Sequence, residues 1–401
     1  MKYLLPSNSL YGNTPVSIEL PDNWVVNTYS YTGDNTKALT ESEIQKKINS
    51  PIGKKPIVEG AKGKQNAVII IDDISRPLNA SSIVRRVISE LGKAGIQREN
   101  IRIIFATGMH RAMYREDYVR KLDEELVSEF VIYSHNPFYS NILVGYGIHN
   151  TPIELNTDCV RAGYKIAIGT IQQHAHTGLG GGGKILVPGI ASAETIRRFH
   201  LYPKKSWDIS SDMRTIGNQA MKLLPLDYKI DALLNGNGEI ADLYAGDSEL
   251  IIYENYSKIK DFFSTEKPEP ADVVILNNYF KPTEPAVAYS DSAVFDFVKK
   301  DGSVVVSSNT PQGVAPHYLL GRWGATYTGG PMFYDRRDTI PPHIKHYFAF
   351  SEYLDKGAGY MFHLNGEQFM WVNRFDQIVE QIGIDERTVT ILPYADASYY
   401  I

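Results

Sequence analysis

Residues 164–184 read Tyr-Lys-Ile-Ala-Ile-Gly-Thr-Ile-Gln-Gln-His-Ala-His-Thr-Gly-Leu-Gly-Gly-Gly-Gly-Lys, and His200 stands sixteen positions after Lys184. Tyr164 to Thr170 is a mostly apolar run of strand length, the pattern of a strand covered on both faces in a parallel sheet. It feeds directly into a glycine-rich loop. Gly has no Cβ and tolerates positive φ, so such a loop lets backbone approach a ligand and can turn N–H groups toward an anion. A lysine closing the run is either a phosphate-binding cation or an amine open to covalent chemistry. The imidazoles of His174 and His176 can move protons near neutral pH or hold a metal ion.

A strand followed by a glycine loop also describes a P-loop. Gly178 to Lys184 satisfies G-x-x-x-x-G-K, but the next residue is Ile185, where a P-loop places Ser or Thr on Mg²⁺. Pro188 falls where the following helix should be running, and Pro inside a helix costs about 3 kcal/mol. A phosphate- or nucleotide-binding hydrolase is therefore the weaker reading. A plain surface loop leaves two histidines and a lysine at one mouth unexplained.

The same strand pattern recurs upstream. Ala67 to Ile71 is continuously apolar and ends in Asp72-Asp73; Ile101 to Phe105 ends in Ala-Thr-Gly-Met-His110; Phe130 to Tyr133 is a third strand. Ile83, Val84, Val87, Ile88 and Leu91 mark one face of an intervening helix. Alternation of this kind predicts α/β architecture with a parallel-rich sheet. Asp73, Ser75 and Arg76 follow one strand, His110 and Arg111 another, and His174 a third. Ligands of open α/β sheets bind beyond the carboxyl ends of strands, so these groups share a predicted site.

Residues 265–271 (Thr-Glu-Lys-Pro-Glu-Pro-Ala) read as a connection, after which the pattern restarts: Val273 to Leu276 as strand, Ala293 to Val298 as helix, Ser303 to Ser307 and Val389 to Leu392 as strands. The expectation is two α/β domains with an active-site cleft between them. Residues 1–264 would carry the cofactor and the catalytic histidines. Residues 272–401 would carry the substrate pocket, their last segment a candidate to return to the first domain. Residues 308–345, rich in Gly, Pro and Tyr, read as a long loop region.

The chain has 401 residues, enough for two domains, and a net charge of −5 with no long basic run, so nucleic-acid binding has no electrostatic support. Its single cysteine, Cys159, excludes an internal disulfide and a cysteine metal cluster. The first residues, Met-Lys-Tyr-Leu-Leu-Pro, are too short an apolar stretch for a signal peptide, and no apolar run reaches the ~20 residues of a membrane helix. A cytoplasmic protein without membrane partners is expected; the oligomeric state is left open.

Taken together, the motifs resemble the nickel-pincer lactate racemases and their 2-hydroxy-acid racemase and epimerase relatives. The matching phrases are Tyr11-Gly12, Leu20-Pro21-Asp22, Pro51-Ile52-Gly53, Asp72-Asp73-Ile74-Ser75-Arg76-Pro77 and Ala106-Thr107-Gly108-Met109-His110-Arg111. They continue with His174, Gly178, Gly181-Gly182-Gly183-Lys184, Pro188-Gly189, His200 and Ala245-Gly246-Asp247. The resemblance implies an isomerase whose cofactor is a pyridinium-3,5-bisthiocarboxylic acid mononucleotide clamping one nickel ion. It implies that Lys184 tethers this cofactor as a thioamide and that His200 is the protein ligand of the metal. Asp73, Ile74, Ser75 and Arg76, with Gly181 and Gly182, would hold the ribose and phosphate. His110 and His174 would be the acid/base pair. The C2–H of a 2-hydroxy acid is very weakly acidic, and reversible hydride transfer to the pyridinium avoids deprotonating it. Two opposed imidazoles suit the two enantiomers, whose hydroxyls point to opposite sides. Such an enzyme depends on separate cofactor-synthesis proteins.

The second half departs from the family pattern. Lactate racemases place a Gln and, three residues on, a Lys shortly after a Gly-Tyr-Pro-like turn, but Glu284 to Phe297 contains neither. The substrate carboxylate would be met otherwise, with Lys281, His317, Arg322, Arg336 and Arg337 as candidates. The expected substrate is a 2-hydroxy acid other than lactate, in a pocket that Tyr318, Tyr327 and Tyr334 could shape. Trp323 and Trp371 read as packing residues, His176 as a loop residue, and His135 and His317 stay unassigned. A homologue that binds the cofactor without turnover is the remaining alternative.

Overall fold

The structure is a computed structural model describing residues 1–12, 14–174, 176–202, 209–284, 292–311, 313, 338–353 and 364–401. It is mixed α/β with parallel-rich sheets, as the strand–helix alternation predicts, and it divides into two compact units.

One unit spans residues 35–261. Its strands are β1 (Ala67–Asp72), β2 (Ile101–Ala106), β3 (Val131–Ser134), β4 (Tyr164–Thr170), β5 (Tyr228–Leu234) and β6 (Ile240–Gly246), in the spatial order β6-β5-β4-β1-β2-β3. All neighbours are parallel except β5 and β6. Every residue of β1 is buried, as a strand covered on both faces requires, and each Ile or Val it buries contributes roughly 1.5–3 kcal/mol. Helix α1 (Ser81–Lys93) turns Ile83, Val84, Val87, Ile88 and Leu91 inward. Gly95, at φ +98°, supplies the left-handed residue that ends its turn. The chain lays β1, β2 and β3 outward in one direction, then returns to place β4 on the other side of β1. The β1/β4 boundary is therefore a topological switch point, where two chain directions diverge and leave a crevice at the carboxyl edge.

The other unit comprises residues 1–34 and 262–401. Strands β7 (Ala271–Asn277), β8 (Val298–Ser307), β9 (Ile344–Phe350), β10 (Phe369–Val372) and β11 (Thr388–Leu392) form a second parallel sheet in the order β10-β9-β8-β7-β11, completed by Val25–Thr28 beside β11. This corrects the expected boundary at residue 264. The first 34 residues belong with the second sheet because Val25–Thr28 pairs with β11, the Trp24 indole donates to Asp385 O at 2.9 Å, and Tyr31 packs on Phe263, Phe280 and Tyr394. The last segment is corrected as well: Tyr399–Tyr400 pairs with Ser264–Thr265 in its own unit. Ala293 to Val298, expected as helix, opens as a 3₁₀ turn over Ser292–Phe297 and then enters β8. Trp371 is a packing residue, set partly buried against the core. No helix among the described residues is long and apolar enough to cross a membrane.

Candidate active site

At the carboxyl edge of the first sheet two adjacent aspartates do different work. Asp72 Oδ1 pairs with the buried ammonium of Lys121 at 2.6 Å, and Oδ2 accepts from the backbone N and Oγ1 of Thr170, both at 3.0 Å. This ties β1 to β4 across the switch point. Lys121 also donates to Arg76 O at 3.0 Å. A buried ion pair gains little by itself, because desolvation offsets the attraction. Here it fixes the path of the segment that carries Asp73, Ser75 and Arg76.

Asp73 turns toward His110. Its Oδ2 lies 2.7 Å from His110 Nδ1, and its Oδ1 accepts from Ser75 N at 3.2 Å and from the Ser75 hydroxyl. Burial pushes the Asp73 carboxyl up, but the His110 imidazole, Arg76 and the Ser75 hydroxyl outweigh it and hold the group below its ordinary range. Arg76 donates to Ser75 O at 3.0 Å and Ser75 Oγ at 2.8 Å. Ile74 is buried, so only its backbone can serve a ligand. Asp73 thus has an orienting role toward a histidine that the sequence did not suggest.

The glycine loop is held from two sides. Gln173–His174 pairs with Gly178–Leu179 as a small hairpin, and Gly181 and Gly182 follow at φ +70° and +60°, where only Gly is unstrained. Helix α3 (Asp212–Leu223) sends in Arg214, which is 2% exposed. Its guanidinium donates to Thr177 O at 3.3 Å, Gly181 O at 3.2 Å and Leu179 O. Burial lowers the Arg214 pKa to about 10, so it stays charged at neutral pH. From below, Asp231 of β5, itself paired with Lys229, accepts from Gly182 N at 3.2 Å. A Cβ on Gly183 would stand 2.5 Å from Gly217 O, so helix and loop touch backbone to backbone. These contacts correct one expectation. The Gly182 N–H is consumed by Asp231, and Gly180 N donates to Gln172 O at 2.6 Å, so neither amide is left to face an anion. The run does not open a helix either: it closes in a 3₁₀ turn, Gly182–Ile185, and the next helix, α2 (Ala193–Phe199), starts eight residues on from that turn's end. These contacts fix the backbone that leads into Lys184, and the P-loop geometry is absent among these described residues.

His200 caps the C-terminal end of α2, with Nδ1 2.8 Å from Ile196 O. That bond puts the proton on Nδ1 and leaves the lone pair on Nε2, the arrangement of a metal-ligating imidazole. Burial pulls its pKa down to about 4, and His176, Lys184 and His110 are near enough to act in the same direction. His110, Lys184 and His200 are thus gathered at one edge, with His174 alongside: His174 Nδ1 accepts from His176 N at 3.2 Å. His176 stands closer to the site than a bystander would. Among the described residues no three His, Cys, Asp or Glu side chains converge to hold a metal ion by themselves. A metal on His200 would need its other donors from beyond these residues.

His135 is structural. Its Nε2 donates to Ala191 O at 2.8 Å and its Nδ1 accepts from Asn156 at 3.3 Å, which uses both nitrogens of the neutral ring. Burial draws its pKa from 6.5 to about 4. The unfolded chain takes up a proton below pH 6.5, the fold only near 4. The stabilisation is therefore complete above pH 6.5 and is lost as pH falls toward 4, about 3 kcal/mol in all. His135→Gln, whose Nε2 can keep the bond to Ala191, should flatten the fall of the unfolding midpoint between pH 6.5 and 4. An unaltered slope would show that the ring is not the titrating group.

Lys281 is buried at the carboxyl edge of the second sheet, where its backbone N–H and its charge are answered by Asp396. His317, Tyr318, Arg322, Trp323, Tyr327, Tyr334, Arg336 and Arg337 lie outside the described residues. Sequence reading missed Arg214, Asp231 and Lys121. The signal for Asp231 is present, since Lys229-x-Asp231 interrupts an otherwise apolar strand; a charge pair in such a run must be closed internally. Arg214 carries no such signal, because arginines on amphipathic helices usually face water.

Residues 11–210 match the lactate racemase N-terminal domain. The lactate racemase of Thermoanaerobacterium thermosaccharolyticum is 26% identical over 309 residues, covering 74% of this chain and 72% of that one. That of Lactiplantibacillus plantarum is 26% identical over 313 residues, with the same coverage. In three dimensions the chain is similar to the lactate racemase apoprotein of T. thermosaccharolyticum, with a TM-score of 0.72 and 19% identity across the full length of both. A Thermotoga maritima protein gives a TM-score of 0.68 at 15% identity, over 91% of this chain and 98% of that one. These structural likenesses support the fold.

Proposed function

The chain belongs to the lactate racemase family, and from that premise we propose that it is a racemase or epimerase inverting C2 of a 2-hydroxy acid, with a nickel-pincer pyridinium nucleotide tethered to Lys184. The observation that carries this reading is that the buried His200 ring, its Nδ1 bonded to Ile196 O, lies within electrostatic reach of both Lys184 and His110. The residues fit the group. His200 presents one Nε2 lone pair, suited to a metal whose remaining donors belong to the cofactor, and Lys184 rises from a loop fixed on both sides. When bound, the cofactor supplies reversible hydride acceptance at its pyridinium ring.

The chain's own part is proton management. His110 gives its Nδ1–H to Asp73, so its Nε2 is a base for a substrate hydroxyl. His174 accepts at Nδ1 from His176 N–H, so its neutral ring carries a proton on Nε2 and offers a hydrogen bond to the substrate oxygen. Turnover would start with one ring neutral and the other an imidazolium: the neutral ring takes the hydroxyl proton, the imidazolium returns one to the oxygen on the opposite face, and the two states are exchanged at the end. Arg76, which donates to the Ser75 hydroxyl, is the cation proposed to meet the cofactor phosphate.

The substrate is proposed to be a 2-hydroxy acid other than lactate, since Glu284 to Phe297 holds neither Gln nor Lys. The test is to make the protein in a host supplied with nickel and the cofactor-synthesis proteins and to offer single enantiomers of a panel of 2-hydroxy acids, lactate included, in D₂O. At least one acid besides lactate should racemise and keep its C2 protium, because hydride returns to the carbon it left. Deuterium at C2 would rule out hydride return. A loaded protein that leaves every acid unchanged would mean a cofactor-binding homologue without turnover.

A further inference from the structure

Gln172 lies where β4 passes into the glycine loop, two residues after Thr170 and two before His174. It is 2% exposed, and neither its Oε1 nor its Nε2 has a hydrogen-bond partner. Buried carboxamides are almost always paired, and one unpaired at both ends calls for a ligand or an internal water. Its backbone O takes the N–H of Gly180 at 2.6 Å, and a Cβ on Gly180 would stand 3.4 Å from that oxygen. The Gln172 backbone is therefore bonded directly to the loop that presents Lys184.

The carboxylates of the neighbouring strands β1 and β5 are already matched: Asp72 is held by Lys121 and Thr170, and Asp231 by Lys229 and Gly182 N. A neutral carboxamide is suited to a neutral group that offers both a hydrogen and a lone pair, and poorly suited to a phosphate or a metal. We propose that the Gln172 carboxamide binds the nucleotide cofactor through an uncharged donor–acceptor group of the kind a ribose hydroxyl presents; this rests on the cofactor reading above.

The test uses wild type, Gln172→Leu and Gln172→Met, each made with and without nickel and the cofactor-synthesis proteins. Both substitutions delete an unpaired amide and keep its volume. The apoproteins should melt at or above the wild-type temperature, by up to about 4 °C. In the supplied host the fraction of chains carrying the cofactor mass should fall about tenfold, the scale of a lost pair of hydrogen bonds. Equal cofactor loading in wild type and both variants would overturn the assignment while leaving the cofactor reading intact. Lower melting of both apoproteins would assign the amide to a structural water and also overturn it. Wild type that takes up no cofactor would overturn the cofactor reading, and this assignment with it.

Discussion

Lys184→Ala, made in a host that loads the wild type, will emerge with the unmodified mass of its sequence and with no turnover. The loop gives the physical reason. Arg214 holds its carbonyls, Asp231 takes the Gly182 amide, and Gly183 rests on Gly217, so the side chain that leaves the following 3₁₀ turn starts from a fixed backbone. Gly189 N then closes on Lys184 O at 3.1 Å. Lys184→Arg separates the two meanings of the cation. A phosphate-binding charge would survive the exchange, since Arg binds phosphate at least as well as Lys, whereas a covalent amine would not. Both variants are expected to lose the adduct entirely, and nickel with it, because a single imidazole at His200 is a weak site without the pincer donors. Intact mass, peptide mapping and metal content read all three. An adduct retained in Lys184→Ala would move the tether to another residue, and one retained only in Lys184→Arg would make the contact ionic.

The parts of this arrangement that were legible in the sequence are those whose chemistry is local. Ala67 to Asp72 announces a buried parallel strand because a strand covered on both faces has no polar side to show. The polar residues just after it, after Ala106 and after Thr170 announce a shared edge, because parallel strands bring their carboxyl ends together. What depends on distant partners was not legible. Val25–Thr28 lies beside β11, more than 350 residues away along the chain, and nothing local selects that pairing over a place in the first sheet. Asp73 sits in a phrase that suggests ribose and phosphate, yet both its oxygens are committed to His110 and Ser75; the direction of one carboxylate is a tertiary fact. Gly182 reads as an anion-facing amide until Asp231 is brought beneath it. Gln172 passes as an ordinary polar residue beside a loop, and only its burial without partners marks it.

His110→Ala should keep the Lys184 adduct and the nickel and lose about 10²–10⁴-fold in kcat, the range of a removed general acid or base. His174→Ala should lose a similar amount. For a pair of enantiomers the equilibrium constant is one, so the ratio of kcat/KM in the two directions is fixed at one in every variant. Neither substitution can therefore produce a one-way enzyme, and a racemase that loses one histidine must slow equally from either side. Asp73→Asn tests how His110 is held. The carboxylate accepts the Nδ1 proton, and an amide at the same place can turn its NH₂ toward that nitrogen, which drives the proton to Nε2 and removes the base. The expected loss is at least 10²-fold in kcat, with adduct and nickel unchanged. Its pH dependence has a definite form. Because Asp73 is held below the ordinary 3.8, its ionised form and the stability it contributes are present above that value and are lost only as pH falls through the lower folded value. Asp73 therefore stays ionised from pH 5 upward and favours the protonated His110 ring across that range, so Asp73→Asn should shift the acid limb of the activity profile to lower pH. An acid limb that stays where it is would mean that the carboxylate does not act on His110, and the division of labour between carboxylate and imidazole would have to be redrawn.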